Sequence, residues 1–289
     1  MENSLSLFGK WNQSVAELIN HLEDEDLPRL LVEAISQLVK VEAVMLVLER
    51  RDKMPVLLYD LGIPQEERAL HIDAYFSGAY LLDPLCLAVD EGLETGVFHL
   101  SEIAPDDFYQ SDYYRAYYQE TSLVDDVYFL VGPRDGVKLS FAVGRQHDHP
   151  TFSGDELALF RLMNPVVQSV LDRYWHSVWE AKEIPDGSEG RMRTQIESAF
   201  NRFGASMLTD REREVAHLLL KGHSSKSAAQ KLGISPDTVQ MHRKNMYAKL
   251  DISSQSELFS LFIAALSNAS GDLEQDPLAS YMQQGDSQK

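Results

Sequence analysis

Apolar residues follow two different rhythms along this chain. From 207 to 266 they recur every three or four residues in four short blocks, each opened by a hydroxyl-bearing residue. Thr209 stands three residues before Glu212, a capping box for a helix running to about Lys221 and closed by Gly222. A second helix spans about Ser224 to Leu232 and ends at Gly233. Ser235 followed by Pro236 starts a third, reaching Leu250, and Ser254 with Glu257 caps a fourth ending near Leu266. Upstream the rhythm changes. Residues 41–48 (VEAVMLVL), 55–59, 126–131 and 137–144 read as strands, the last two joined by the turn Gly132-Pro133-Arg134-Asp135-Gly136. Helical spacing marks Leu18–Val39, interrupted by the acidic HLEDEDLP, then 65–81 and 106–121, both rich in aromatic residues, and finally Ser153–Trp179, where Pro165 predicts a bend.

The second and third C-terminal blocks have the spacing of two helices crossing steeply over a tight turn. Ala229 is small where the backbones meet, Gly233 is free to turn, and Val239 fills the angle. Phasing the third helix from Val239 sends Met246 and Leu250 inward with it. Asp237, Met241, Lys244 and Ala248 then face outward, flanked by Thr238, Gln240 and Asn245. Such a face suits the major groove: glutamine pairs with adenine, lysine with guanine, and an apolar group with the thymine methyl.

These residues resemble the DNA-binding domain of LuxR-type regulators. The matching positions are Leu208-Thr209, Arg211-Glu212, Glu214-Val215, Lys226, Ala229, Leu232-Gly233-Ile234-Ser235, Thr238-Val239, His242, Lys249-Leu250 and Glu257-Leu258. The resemblance implies base reading by Gln240, Met241 and Lys244, and phosphate binding by Ser225, Lys226, Thr238, His242 and Arg243. The family usually carries lysine where this chain has Gln240, so one positive charge is missing from the reading face.

Residues 1–180 read as an α/β sensor domain whose order of helix, strands, helices, hairpin and terminal helix is similar to GAF- and PAS-like domains. Tyr80-Leu81-Leu82-Asp83-Pro84-Leu85 also resembles the Tyr-x-x-Asp-Pro segment of acyl-homoserine-lactone receptors. That likeness implies a ligand site at Tyr75, Tyr80, Asp83 and Phe98. Phe98 replaces a tryptophan of those receptors, and Leu70 lies near the place of another. Asp-Pro is equally a helix start, with Asp83 as N-cap. The aromatic residues Phe108, Tyr109, Tyr113, Tyr114, Tyr117 and Tyr118 line a pocket or fill a core, and Cys86 reads as a small buried residue. His147-Asp148-His149 is too small a cluster for a metal and reads as a solvated loop.

Charge at first argues against a nucleic-acid partner, because the 289-residue chain carries −19. Its distribution removes the objection. Residues 207–266 hold eight Lys/Arg and six Asp/Glu, while the remainder holds 18 and 39. With one cysteine, no disulfide forms within the chain, and no apolar run approaches a membrane span, so a cytoplasmic protein is expected. Receiver-domain acidic residues are missing after the first strand, and no phosphate loop, G-x-S-x-G or H-E-x-x-H indicates an enzyme. The expectation is therefore an α+β chain: a sensor domain with an antiparallel sheet (1–180), a linker with a short amphipathic helix (181–206), an all-α four-helix domain (207–266) and a disordered tail (267–289). Its partners would be double-stranded DNA, a second copy through the apolar fourth helix, a small-molecule effector, and RNA polymerase if it activates. No cofactor, metal or membrane enters this reading. The alternative is an N-terminal domain that only dimerises or binds protein.

Overall fold

Strand alternation decides the larger packing. A computed structural model describes the chain except at residues 1, 51–52, 64, 66–67, 69–71, 73, 77–78, 120, 122, 135, 147–148, 181, 183–197, 268–275 and 287–289. The elements are α1 (Glu2–Asn20), α2 (Leu27–Ser36), β1 (Ala43–Arg50), β2 (Lys53–Leu61), α3 (Pro84–Asp90), β3 (Gly96–His99), β4 (Leu123–Arg134), β5 (Val137–Gln146) and α4 (Gly154–Tyr174). After these come α5 (Asp210–Leu220), α6 (Ser225–Leu232), α7 (Pro236–Leu250), α8 (Gln255–Ser267) and α9 (Pro277–Asp286). The chain is mixed α+β, as the patterning implies. It divides into two units, Met1–His71 with Ala88–Ile103 and Thr121–Gly187, and Ile72–Leu87 with Ala104–Glu120 and Ser188–Lys289.

In the first unit the five strands form one antiparallel sheet in the order β2-β1-β5-β4-β3. Every second residue of the central strands points at the helices: Val44, Leu46 and Leu48; Val127, Phe129 and Val131; Leu139, Phe141 and Val143. Leu27, Leu31 and Ile35 of α2 and Phe160, Met163, Val167 and Leu171 of α4 complete that core. A full capping box at Ser153 and Glu156 starts α4, and the buried Arg145 side chain pairs with Glu156 to hold the start of the helix against β5. Pro165 lies inside α4, which continues past Tyr174 as a wider π turn, Trp175–Trp179.

Several elements differ from expectation. β4 runs on to Arg134, with a register irregularity between Val131 and Arg134 that takes up Gly132 and Pro133, where a missing N–H is tolerated. The four-residue strand β3 is too short to show a period, yet it pairs with β4, Phe98 opposite Tyr128. Helix α1 begins well before the expected Leu18. Leu5, Phe8, Trp11, Val15 and Leu18 recur along it at helical spacing, although most of its described residues are exposed. The expected helices at 65–81 and 106–121 are broken into short pieces, among them Ala79–Leu82, Phe108–Gln110 and a π turn at Tyr114–Gln119. Along the last, Tyr113 lies parallel to Tyr117 and Tyr114 to Tyr118, at 5.7 and 5.3 Å between centroids. The tail also departs from expectation. Residues 277–286 form α9, with Leu278 fully buried, where a disordered tail was expected. Asp276 caps α9 through the Leu278 N–H and also accepts from the Gly204 and Ser206 N–H groups, at 3.0 and 2.9 Å. Composition alone hid that Asp-Pro start.

Candidate nucleic-acid interface

Local capping builds the four-helix part of the second unit. Thr209 Oγ1 accepts the Glu212 N–H at 3.4 Å while the Glu212 carboxylate accepts the Thr209 N–H at 2.8 Å. Glu212, only 3% exposed, also receives Lys249 Nζ at 2.6 Å from the last turn of α7. Burial opposes its charge. Lys249 and the two Thr209 groups overcome that and hold the carboxyl below its ordinary range, so one residue caps α5 and ties it to α7.

Ser224 caps α6 by accepting the Ser227 N–H at 3.2 Å, and α6 ends on Gly233 at φ 66°. Nothing stands within 4 Å of where a Gly233 Cβ would be. Gly233→Ala should therefore meet only the left-handed penalty, a loss of about 1–2 kcal/mol in chemical denaturation. No loss would mean the turn can relax. Ser235 then caps α7, accepting the Thr238 N–H at 3.1 Å with Pro236 in the first turn. Glu257 departs slightly from the expected box. Its N–H reaches Ser254 Oγ, but its carboxylate takes the N–H and hydroxyl of Ser253.

Helix α7 has the two faces its phase implies. Val239, Met246 and Leu250 are buried, while Gln240, Met241 and Lys244 are exposed together with Asp237, Asn245 and Ala248. Met241 is 51% exposed, so about half of this apolar side chain is open to solvent. Lys226 is exposed and Ser225 half-buried in the first turn of α6. Thr238 shares a hydroxyl contact with Ser235 at 2.8 Å, and the half-buried Arg243 lies over the Tyr247 ring at 5.9 Å, one residue from the half-buried His242.

The surplus apolar surface expected on the fourth helix is partly used within the chain. Leu258, Phe262 and Ala265 of α8 are fully buried. Phe200 and Phe203 meet Phe262 edge-on at 5.3 and 5.4 Å between centroids. Of the apolar side chains, Phe259 and Leu261 are half-buried and Ile263 is 37% exposed.

Elsewhere in the second unit, Tyr75, Tyr80 and Asp83 come together and are buried. Asp83 Oδ1 accepts the Leu85 and Cys86 N–H groups at 2.7 and 3.3 Å, the N-cap of α3, and Oδ2 accepts the Tyr75 hydroxyl at 3.2 Å. Burial pushes the Asp83 carboxyl up despite these donors, and burial with the Asp83 charge pushes the Tyr113 phenol well up. The Tyr75 hydroxyl also lies 3.3 Å from the buried Cys86 thiol. Phe98, on β3 of the first unit, is half-buried. Leu70, His147 and Asp148 lie outside the described residues, and among the described residues no three His, Cys, Asp or Glu side chains gather to hold a metal ion. No described helix is long and apolar enough to cross a membrane.

The family model for bacterial regulatory proteins of the luxR family matches residues 206–262. An HTH-type transcriptional regulator assigned to the exeN 3′ region of Aeromonas salmonicida is 34% identical over 197 residues, covering 66% of this chain and 99% of that protein. The chain belongs to the LuxR family of bacterial transcriptional regulators. The regulatory protein UhpA of Escherichia coli K12 is 49% identical across 51 residues, 18% of this chain and 26% of UhpA. The crystal structure of the VqsR LBD domain from Pseudomonas aeruginosa is 27% identical, with a TM-score of 0.52, over 58% of this chain and 98% of that domain.

In this LuxR-family regulator the four caps and the outward face of α7 arise from contacts within 15 residues of sequence, which is why patterning finds them. Asp106, Asp112 and His217 carry no comparable signal. Each acts on a partner from another part of the chain: Asp106 on Ser224, Asp112 on Ser256, and His217 on Phe200.

Proposed function

We propose that this regulator reads two-fold sites on double-stranded DNA as a homodimer, with α7 in the major groove. Gln240, Met241 and Lys244 meet base edges; Ser225, Lys226, Thr238, His242 and Arg243 hold the backbone. The observation that carries this is the exposure of Gln240, Met241 and Lys244 on one side of a helix locked by Val239, Met246 and Leu250 on the other. The half-exposed Phe259, Leu261 and Ile263 support pairing of α8 with its copy, because one helix-turn-helix alone reads few base pairs. Working domains of 1–180, 181–206 and 207–266 remain the proposed division of labour in a cytoplasmic protein, with RNA polymerase a further partner when it activates.

Likeness to an LBD domain supports control by a small molecule near Tyr75, Tyr80 and Asp83. Against this stands the reading of Asp83 as a cap, whose hydrogen bonds within the chain occupy both of its carboxylate oxygens. Native mass spectrometry of the full chain purified from its host separates the two: a bound small molecule lost in Asp83→Ala supports the sensor, and none in either supports a filled module. For the DNA reading, Lys244→Ala should cost about 1–3 kcal/mol at the preferred site and little on random duplex. Lys226→Ala should weaken both alike and lower the salt slope by about one. A binding-site selection that returns the same motif for Lys244→Ala would refute the base-reading role.

A further inference from the structure

The amino end of α6 already holds an anion. Asp106 Oδ1 accepts the Ser224 N–H at 3.0 Å and Oδ2 accepts the Ser224 hydroxyl at 2.6 Å, so the carboxylate sits against the N-cap of this eight-residue helix. Aligned peptide dipoles make that end attractive to negative charge, carboxylate or phosphate alike. Two further ties hold the same segment within the second unit. The Asp107 N–H donates to the Gly222 carbonyl at 3.1 Å, and the Ser256 hydroxyl donates to Asp112 at 2.6 Å, next to the start of α8. The approach at Gly222 is close: a Cβ there would lie 3.1 Å from the Phe108 Cα, and the backbone is at φ 86°. Residues 106–112 thus form a strap across the turn between α5 and α6.

We propose that this strap is a latch in which Asp106 stands in for a DNA phosphate, so that the strap must leave α6 before the helix-turn-helix can seat on a duplex. The proposal rests on the reading that the first turn of α6, with Ser225 and Lys226, takes backbone phosphate. A carboxylate and a phosphate cannot share one helix end, because their charges repel and the Ser224 donors are already engaged. The other end of the strap leads into the aromatic cluster. Phe108 packs on Tyr113, Tyr114 and Tyr118, and Tyr113 neighbours Asp83, which gives any ligand that repacks those rings a route to the latch.

The test uses the full chain and a fluorescently labelled mixed-sequence duplex. If the latch is closed nine-tenths of the time, D106A should tighten apparent affinity about tenfold by fluorescence anisotropy. D106N, which keeps the shape and one acceptor, should fall between it and the original chain. D155N removes one acidic charge from the first turn of α4 and should change little. In hydrogen exchange, the Asp107 amide of the unaltered chain should exchange faster once duplex is bound. Binding by D106A and D106N no tighter than by D155N would overturn the latch, as would an Asp107 amide that stays protected on the duplex. If no variant bound duplex at all, the DNA reading would fall and the latch with it, a pattern unlike equal binding by all.

Discussion

Phe262→Ala is expected to lower the stability of the second unit by about 3–5 kcal/mol, the usual range for deleting a fully buried phenylalanine. The ring is 0% exposed and is the meeting point of Phe200 and Phe203, both edge-on to it. Removing it takes away the area of one ring and the partner of two aromatic pairs, each worth about 0.5–1.5 kcal/mol beyond area. Neighbouring Ile263 is the control. At 37% exposure its truncation should cost less than about 1.5 kcal/mol by area bookkeeping. Urea denaturation followed by far-ultraviolet circular dichroism compares the two directly. Equal losses would mean that residues 198–203 do not pack on α8.

That contact also narrows the surface left for a dimer. From sequence, α8 carries more apolar surface than one face against the bundle of 207–266 needs, which implies that part of it meets a second copy. Residues just before the bundle and just after it supply cover that the pattern does not reveal. Phe200 and Phe203 come from the N-terminal side, and Leu278 of α9 is buried on the C-terminal side. What remains for a partner is the strip of Phe259, Leu261 and Ile263, smaller than the helix composition suggests.

Legibility followed the range of the interactions. The caps of α5, α6 and α7 are contacts three residues apart, and the β4–β5 pairing follows from two alternating runs joined at a Gly-rich turn. Both were readable. The phase of α7 was readable for the same reason, since Val239, Met246 and Leu250 lie on one helix. Strand β3 exists because β4 offers it an edge, which four residues cannot announce. The π turn at Tyr114–Gln119 leaves no mark in the spacing, because the stacked Tyr114 and Tyr118 are four apart as in an ordinary helix. Asp106 and Ser224 are 118 residues apart, so neither carries a mark of the other. The Asp83 motif was readable as a choice only. Its bonds to Leu85 and Cys86 are those of a cap, while its burial beside Tyr75 is what a recognition site also requires.

Acidification should destabilise the second unit through His217 from about pH 6.5 downward. The ring stacks on Phe200 at 4.6 Å between centroids, and Nε2 lies 3.0 Å from the Phe200 carbonyl, a contact that requires Nε2 to carry the proton as donor. Burial, and after it the charge of Lys221, lowers its pKa to about 4 from the ordinary 6.5. The sign follows from which state binds the proton. Below pH 6.5 the unfolded chain protonates His217 and the folded chain does not, so stability falls as pH drops from about 6.5 towards 4 and levels off below. The full loss is about 3 kcal/mol, of which about 1.3 kcal/mol should appear between pH 7.5 and 5.5. That interval stays above the sequence pI of about 4.8, where a chain of low net charge tends to precipitate. Proton NMR of the imidazole signals, assigned by the one that disappears in His217→Gln, gives the pKa directly. Paired urea titrations at the two pH values give the linked stability, and His217→Gln, less stable at pH 7.5 for want of the ring stack, should lose about 1.3 kcal/mol less on acidification than the unaltered chain. A His217 signal that titrates near 6.5, or equal acid losses in both proteins, would show that the ring is open to water and that residues 198–203 do not bury it.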